Sequence, residues 1–273
     1  MKSAKCARSV LIVAVAVISV LLVFALCACD ENGILGIDGM SDLNYANASA
    51  YTVADRCELD ADSTASVSEI EVDWINGDIQ VEYLESVVAV DFYEVAEGEE
   101  VTEDTTMHYL LDNGVLRIKY AKPGKFKNGN LRKKLYINLP RSLTLSKLDI
   151  ESVNGNINAD CNAGKIDIET FNGNINLKGT ATRVDIETVN GNVTVACKEI
   201  LRELDVETVS GNVNLNIAEE RGFRLEYETA SGKMSSSFSG QLTMQGRVYV
   251  YLGGGAIIDV ETVSGSLSLG TLQ

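Results

Sequence analysis

The residues best suited to chemistry in this sequence are carboxylate pairs that recur along the second half of the chain. Each pair has the pattern acidic–apolar–acidic. The six pairs begin at Asp149, Asp167, Asp185, Asp205, Glu226 and Asp259. Paired carboxylates can act as general acid and base when their environments differ, and they can bind calcium through their oxygens. Here the pairs are spread along a repeat, and no loop resembles an EF-hand. We therefore expect a solvated acidic face without catalytic or metal-ligating residues, with calcium binding as the alternative.

Other catalytic patterns do not occur in the sequence. The only histidine is His108, and we find no Ser–His–Asp set, zinc-ligand spacing or phosphate-binding loop. The formal net charge of −16 argues against nucleic acid as a partner, because nucleic acid binding needs a basic surface. We therefore predict a protein that is not an enzyme, has no cofactor and binds no nucleic acid.

The carboxylate pairs belong to a longer phrase, first seen at Asp149–Asp160. After the second acid come Ser or Thr, an apolar residue, Asn or Ser, a glycine and a further strand-like stretch. The glycines are Gly155, Gly173, Gly191, Gly211, Gly232 and Gly265, at steps of 18, 18, 20, 21 and 33 residues. A divergent copy surrounds Trp74, which we expect to close one end of the core. Repeats of this length indicate stacked units, because one unit cannot bury its own apolar face.

The apolar residues of each copy alternate with polar ones, which predicts two short strands per repeat. We expect the glycine to join them because it permits the positive φ of a tight corner. An antiparallel meander or barrel could use the same pattern. It would expose a long apolar face that little remaining chain could cover. We therefore predict an all-β parallel β-solenoid with about 18–21 residues per rung, in which residues 235–256 bulge from one corner.

Stacked rungs would align equivalent residues in columns. Basic, Asp and Glu columns are predicted on one outer face, and asparagine columns on the other. The asparagine columns are Asn156, Asn174, Asn192, Asn212 and Asn158, Asn176, Thr194, Asn214. We expect hydrogen-bonded ladders, with contact to sugar hydroxyls as the alternative. Two cysteines, Cys161 and Cys197, would lie two rungs apart, roughly 9–10 Å, which is too far for a disulfide.

The N-terminus has the features of an export and anchoring segment. Residues 1–28 combine a positive start with an apolar run, and Leu26-Cys27-Ala28-Cys29 resembles a bacterial lipobox. We expect cleavage before Cys29 and lipidation of its thiol; the alternative is an uncleaved transmembrane helix. Either places residues 30–273 outside the cytoplasm, anchored to the bacterial cell membrane by lipid or helix.

The rest of the chain divides by composition. Residues 29–68 read as a flexible acidic tether. Residues 69–146 form the N-terminal β part of the solenoid domain, and residues 147–273 form the repeat array. A basic loop at 122–130 reads as a solvated segment that offsets acidic neighbours, with anionic lipid or wall polymer as the alternative ligand.

The segments Asp205–Leu215 and Asp259–Leu269 resemble the bacterial "putative adhesin" β-strand-repeat family of envelope proteins. The Trp74 segment and the strands near 114–118 and 135–139 resemble the first half of that family, so the resemblance covers roughly residues 66–270. It implies a right-handed parallel β-helix at the cell surface. It brings no catalytic or binding residues with it.

These observations predict a surface-anchored, non-catalytic β-solenoid that acts as an adhesin, an envelope scaffold or an envelope-stress module. Its expected partners are the membrane and an envelope glycan or another envelope protein. The alternatives are a carbohydrate-active β-helix enzyme and a regulatory lipoprotein that contacts a membrane sensor.

Overall fold

The computed structural model describes residues 45–98, 100–124, 131–218, 220–238 and 242–272, without the side chains of residues 199–201. The described strands join in one mixed sheet of 19 strands. They are β1 (Thr52–Val53), β2 (Arg56–Glu58), β3 (Glu69–Asn76), β4 (Ile79–Tyr83), β5 (Asp91–Glu97), β6 (His108–Asp112), β7 (Val115–Lys119), β8 (Arg132–Leu139), β9 (Leu145–Asn154), β10 (Ile157–Asn172), β11 (Ile175–Asn190), β12 (Val193–Ser210), β13 (Val213–Ile217), β14 (Phe223–Thr229), β15 (Met234–Ser236), β16 (Thr243–Gln245), β17 (Val248–Tyr251), β18 (Ala256–Ser264) and β19 (Leu267–Thr271). The described helical segments are a 3₁₀ turn (Ala48–Ala50) and α1 (Ala61–Ser66).

The repeats stack in parallel, each on the equivalent part of the next. Strand β10 pairs with β11 so that Ile157 lies beside Ile175 and Asp167 beside Asp185. Strands β9, β12 and β18 continue the stack in parallel. This register excludes the meander and confirms an all-β, mostly parallel repeat fold. The right-handed sense of a β-helix stays a prediction.

Each rung has a first arm before its glycine and a second arm after it. The first arms stack in the order β7, β3, β9, β10, β11, β12, β18, β14. The second arms stack in the order β8, β4, β10, β11, β12, β13, β19, β15. The 16–18-residue strands β10 to β12 supply the second arm of one rung and the first arm of the next. The divergent Trp74 copy, in β3 and β4, is therefore an ordinary rung near one end.

The last two repeats do not stack in chain order. The copy at Asp259 lies between Asp205 and Glu226, so the copy at Glu226 forms the outer rung. The predicted bulge at 235–256 is also wrong. Its described part contributes β15 to the outer rung, and β16 and β17 form an antiparallel hairpin that pairs with β14. The hairpin occupies the backbone groups of β14 that an open edge would expose.

The glycine corners are required by close approach of the backbones, which corrects the reason predicted from sequence. A Cβ on Gly173 would meet the carbonyl oxygen of Gly155 far inside 3.0 Å, a separation that real Cβ contacts essentially never show. The same overlap recurs from Gly77 through the stack to Gly232. Among the described corner glycines, positive φ occurs at Gly77 and Gly155 only. Glycine therefore serves mainly to let successive corners touch.

A column of hydroxyl side chains lies inside the apolar core. Because Ile150 points inward, the residue two positions later must do so too. The column consists of Ser152, Thr170, Thr188, Thr208 and Thr262, all at most 3% exposed. Their hydroxyl oxygens have no hydrogen-bond partner among the described residues. An unpaired buried hydroxyl costs about 1–3 kcal/mol, so this column lowers the stability of the stack.

The predicted tether is wrong for its described part. Residues 45–68 include β1 and β2, which pair with β6 and β5. Arg56 donates to both carboxylate oxygens of the largely buried Asp91, and Asp60 caps α1 by accepting from Ser63. The segment is ordered because it covers the strands that end the stack. Residues 1–44, including Cys29, lie outside the described residues, so lipidation stays a prediction.

Within the part of the chain that the structure describes, no helix is both long and apolar enough to cross a membrane. The predicted leader at 1–28 lies outside this part.

Gly191→Ala should destabilise the protein by about 3 kcal/mol or more, because the new Cβ would overlap the backbone of Gly173. Gly246→Ala is the control. Gly246 has a φ of 70° but nothing within 4 Å of its Cβ position, so it should cost only about 1 kcal/mol. Urea unfolding measures both. Equal losses would show that corner packing does not require glycine.

Thr188→Val should stabilise the fold by about 1 kcal/mol, because it replaces an unpaired buried hydroxyl with a methyl group of similar size. The exposed Thr144→Val is the control and should change stability by less than about 0.5 kcal/mol. Thermal unfolding at fixed pH distinguishes the two. Destabilisation by Thr188→Val would mean that this hydroxyl is hydrogen-bonded in solution.

Candidate functional site

The acidic columns predicted from sequence exist, with the corrected rung order. Asp167 lies beside Asp185 and Glu169 beside Glu187. Basic side chains contact the Asp column. Lys147 forms ion pairs with Asp149 and, at 3.6 Å, with Asp167. In the middle of the stack, the Glu column faces carboxylates above and below.

Burial and crowding raise the pKa of several stacked carboxyls. Burial first, and neighbouring carboxylates second, raise the pKa of Glu151, Glu187 and Glu261 to about 7 and that of Asp259 to about 6. A catalytic acid–base pair needs pKa values that are pushed apart. Each of these four pKa shifts is upward and has the same two causes, which is the behaviour of a crowded face. No group of His, Cys, Asp or Glu among the described residues has the geometry of a metal site.

The opposite outer face carries the asparagine ladders, which form as predicted. The backbone N–H and the side-chain amide of Asn174 both donate to Oδ1 of Asn156, at 3.0 and 3.1 Å. Asn192 repeats the pattern on Asn174. In the neighbouring column Asn176 donates to Asn158 at 2.9 Å. The amides in the middle of the stack therefore satisfy one another.

The ladders change composition at the far end of the stack. Ser268 lies beside Asn214, with Ser235 on its other side. The backbone N–H of Ser266 donates to Oδ1 of Asn212 at 3.0 Å. Because serine is shorter than asparagine, a cavity of about 400 Å³ opens at this point. We call it the Asn/Ser groove; its lining residues are Asn192, Asn212, Asn214, Ser235, Ser266, Leu267 and Ser268.

The groove uses part of a column that the sequence identified, but its serines were missed. Sequence order places the copy at Gly232 directly after the copy at Gly211. The structure instead inserts the rung of Ser266 and Ser268 between them. The available signal was the change from Asn to Ser after the last glycine. This change shows that the residue is smaller, but the sequence does not show which rung lies beside the serine.

His108 is buried at the other end of the stack. Its Nδ1 lies 2.6 Å from the hydroxyl of Tyr45, and burial lowers its pKa. Its Nε2 has no hydrogen-bond partner among the described residues. The geometry fits a neutral histidine that holds the N-terminal segment in place.

A buried ion pair, missed in the sequence, fills the core beside Trp74. The Nζ of Lys133 lies 2.6 Å from Oε2 of Glu94 and also donates to the carbonyl oxygen of Thr105. Burial lowers the pKa of Lys133 to about 8 and raises that of Glu94. The lysine is fully buried, and its Nζ lies over the rings of both Trp74 and Tyr120. The pair packs against Trp74, and the rung of β7 and β8 lies beyond it, so Trp74 lies inside the stack near its end.

The basic residues around the predicted loop are paired with acids. Lys119 pairs with Asp73 and Lys122 with Asp104. Arg132 bridges Asp78 and Glu97. Residues 125–130 lie outside the described residues, so the role of the loop stays a prediction.

The cysteine prediction agrees with the register. Gly179 lies between Cys161 and Cys197, so the two cysteines are two rungs apart. Both are buried free thiols, and burial raises the pKa of each to about 12.

These features define a stacked β-repeat protein with self-satisfied polar ladders and a polar groove. The chain belongs to the Toastrack DUF4097 family, whose profile matches residues 42–270. This match confirms the family resemblance of the repeat phrase. No curated protein matches the chain.

Solved structures that are similar to this chain include three bacterial proteins. One is a putative cell adhesion protein from Clostridium sporogenes, with 12% identity, 81% of this chain and 99% of that one covered, and a TM-score of 0.49. A putative adhesin from Bacteroides fragilis has 11% identity, coverage of 78% and 95%, and a TM-score of 0.39. A putative adhesin from Parabacteroides merdae has 10% identity, coverage of 80% and 95%, and a TM-score of 0.30.

Stability should fall as the pH rises from about 4.5 to 7.5. The folded-state pKa values of Glu151, Glu187 and Glu261 lie near 7, above the unfolded value of about 4.3. The folded state therefore binds protons more tightly, and this stabilisation is lost as the pH passes through about 7. Melting temperatures across this pH range measure the effect.

Glu187→Gln should raise the melting temperature by roughly 2–4 °C at pH 7.5 and change it little at pH 4.5, because it removes one charge between two like charges. Glu58→Gln, at an exposed position outside the columns, is the control and should have no such pH-dependent effect. If both variants behave alike, the columns do not repel.

Proposed function

We propose that this protein is a non-catalytic binding module of the bacterial cell envelope, anchored at its N-terminus and acting as an adhesin or scaffold. In this proposal residues 1–28 are a leader or anchor, Cys29 is lipidated, and residues 30–273 lie outside the cytoplasm. The solenoid is a right-handed β-helix, as the family resemblance implies.

The observation that carries the proposal is the placement of the Asn/Ser groove opposite the chain entry. Tyr45, the first described residue, contacts His108 in β6 and the carbonyl oxygen of Ala121. This end of the stack carries β7 and β8. The rung of β13, which lines the groove, lies five strand-to-strand steps away. At ~4.8 Å per step the separation is roughly 24 Å. A module held at one end would thus present its groove at the other.

The groove is also better suited to binding than to catalysis. Its lining offers amides, hydroxyls and backbone groups without a titratable side chain. Such groups orient a ligand through hydrogen bonds but cannot exchange protons near neutral pH. Two alternatives remain: a carbohydrate-active enzyme that uses the carboxylate columns, and a regulatory lipoprotein that contacts a membrane sensor.

The full-length protein, purified in detergent, should bind isolated cell envelopes and release no soluble sugar from them. In cells, Cys29→Ala should move the protein from the membrane fraction to the soluble extracytoplasmic fraction without changing its melting temperature. Ala28→Ser, which keeps the thiol and a small residue before it, is the control and should stay with the membrane.

Two outcomes would overturn this proposal. Sugar release that is lost in Glu187→Gln would identify the enzyme. Crosslinking in cells to one membrane receptor, with no binding to protein-free envelope polymer, would identify the regulatory lipoprotein.

A further inference from the structure

We propose that the Asn/Ser groove binds a neutral oligosaccharide through its amides and hydroxyls. This inference rests on the proposed function and assigns a ligand class to the same site. The lining includes Asn212 and Asn214 on one rung and Ser266 and Ser268 on the next.

The groove has the volume of a small-molecule site. Its cavity of about 400 Å³ falls within the range of about 300–1,000 Å³ typical of ligand pockets. The rung with Ser266 and Ser268 forms its floor, and the rung with Asn212 and Asn214 forms one wall. From Ser266 to Ser268 the floor extends about 7 Å along the strand. This length suits one or two sugar rings of a longer chain.

The unused hydrogen-bonding groups of the groove are concentrated where the ladder is interrupted. In the middle of the stack, Asn174 accepts from and donates to its neighbours. The side chains of Asn214, Ser235 and Ser268 make no hydrogen bond to the rest of the described chain. The carboxamide and the hydroxyls together supply both donors and acceptors. A saccharide hydroxyl also donates and accepts, so it can satisfy both kinds of group.

The charge of the groove and of the protein indicates a neutral ligand. The lining residues carry no charge. The chain has a formal net charge of −16, which repels polyanions at long range. The described lining also has no aromatic ring, so hydrogen bonds rather than stacking would provide recognition. Lys233 is a nearby cation, and its backbone N–H donates to Oγ of Ser266 at 3.3 Å.

Rigidity favours binding by this surface. The groove residues belong to strands or adjoin them, and neighbouring rungs hold the backbone in register. Oδ1 of Asn192 accepts from the backbone N–H of Asn212, and Oδ1 of Asn212 accepts from that of Ser266. These bonds fix the amide orientations before a ligand arrives, which reduces the entropy lost on binding.

The test uses the full-length protein in detergent and an array of neutral oligosaccharides built from hexose and N-acetylhexosamine units, with polygalacturonate as an anionic probe. The best neutral ligand is then titrated against variants. Ser268→Gln, which fills the floor, and Asn214→Ala, which removes a wall amide, should each weaken binding at least tenfold. Asn158→Ala lies in the same column several rungs away and should leave affinity within twofold. Melting curves check that every variant is folded.

Lys233→Gln separates a neutral ligand from an anionic one. It should change the affinity for the neutral ligand by less than twofold. Preferential binding of polygalacturonate, lost in Lys233→Gln, would overturn the assignment of a neutral ligand. Envelope binding that persists in Ser268→Gln and Asn214→Ala, with no neutral oligosaccharide bound, would overturn this inference but keep the proposed function. If the unmodified protein does not bind envelopes at all, both this inference and the proposed function would be overturned.

Discussion

The rest of this structure depends on the contact between successive glycine corners. From Gly155 to the outer rung, each corner glycine lies against the carbonyl oxygen of the glycine one rung away, where no Cβ fits; Gly77 lies against that of Lys133 in the same way. The N–H of Gly173 donates to the carbonyl oxygen of Asn190, and Gly155 bonds to Asn172 in the same way. Since every rung turns at the same place, equivalent residues are held side by side. The core, the ladders and the acidic columns all follow from this one register.

A column of identical residues is favourable for some side chains and unfavourable for others. A carboxamide has both a donor and an acceptor, so an asparagine column such as Asn156, Asn174 and Asn192 satisfies itself. Apolar side chains pack equally well in a column. Carboxylates only accept and repel one another; burial first, and this repulsion second, raise the pKa of Glu151 and Glu187 to about 7. The same register therefore stabilises one face and places repulsion on the other.

The regular repetition stops at both ends of the stack, and the groove of the proposed function lies near one of these ends. At one end, β1, β2 and the Lys133–Glu94 pair close the stack. At the other end the last two repeats exchange places, and serines replace asparagines. The interrupted ladder leaves the hydrogen-bonding groups of Asn214 and Ser268 without protein partners. A regular array would have satisfied them, so the groove arises from the irregularity.

The sequence by itself determined the strands, the parallel stack, the columns and the spacing of Cys161 and Cys197, because these follow from local alternation and a constant repeat. Because side chains on a strand alternate between its two faces, the sequence could also have shown that Thr188 points inward, two positions after Ile186. Only the tertiary structure decided the rung order, the ordered segment at 45–68 and the groove. Similar repeats can pair in more than one order, and the one adopted depends on which exposed edges each segment covers. Ser268 lies beside Asn214 and Ser235 for that reason, although both are distant in the chain.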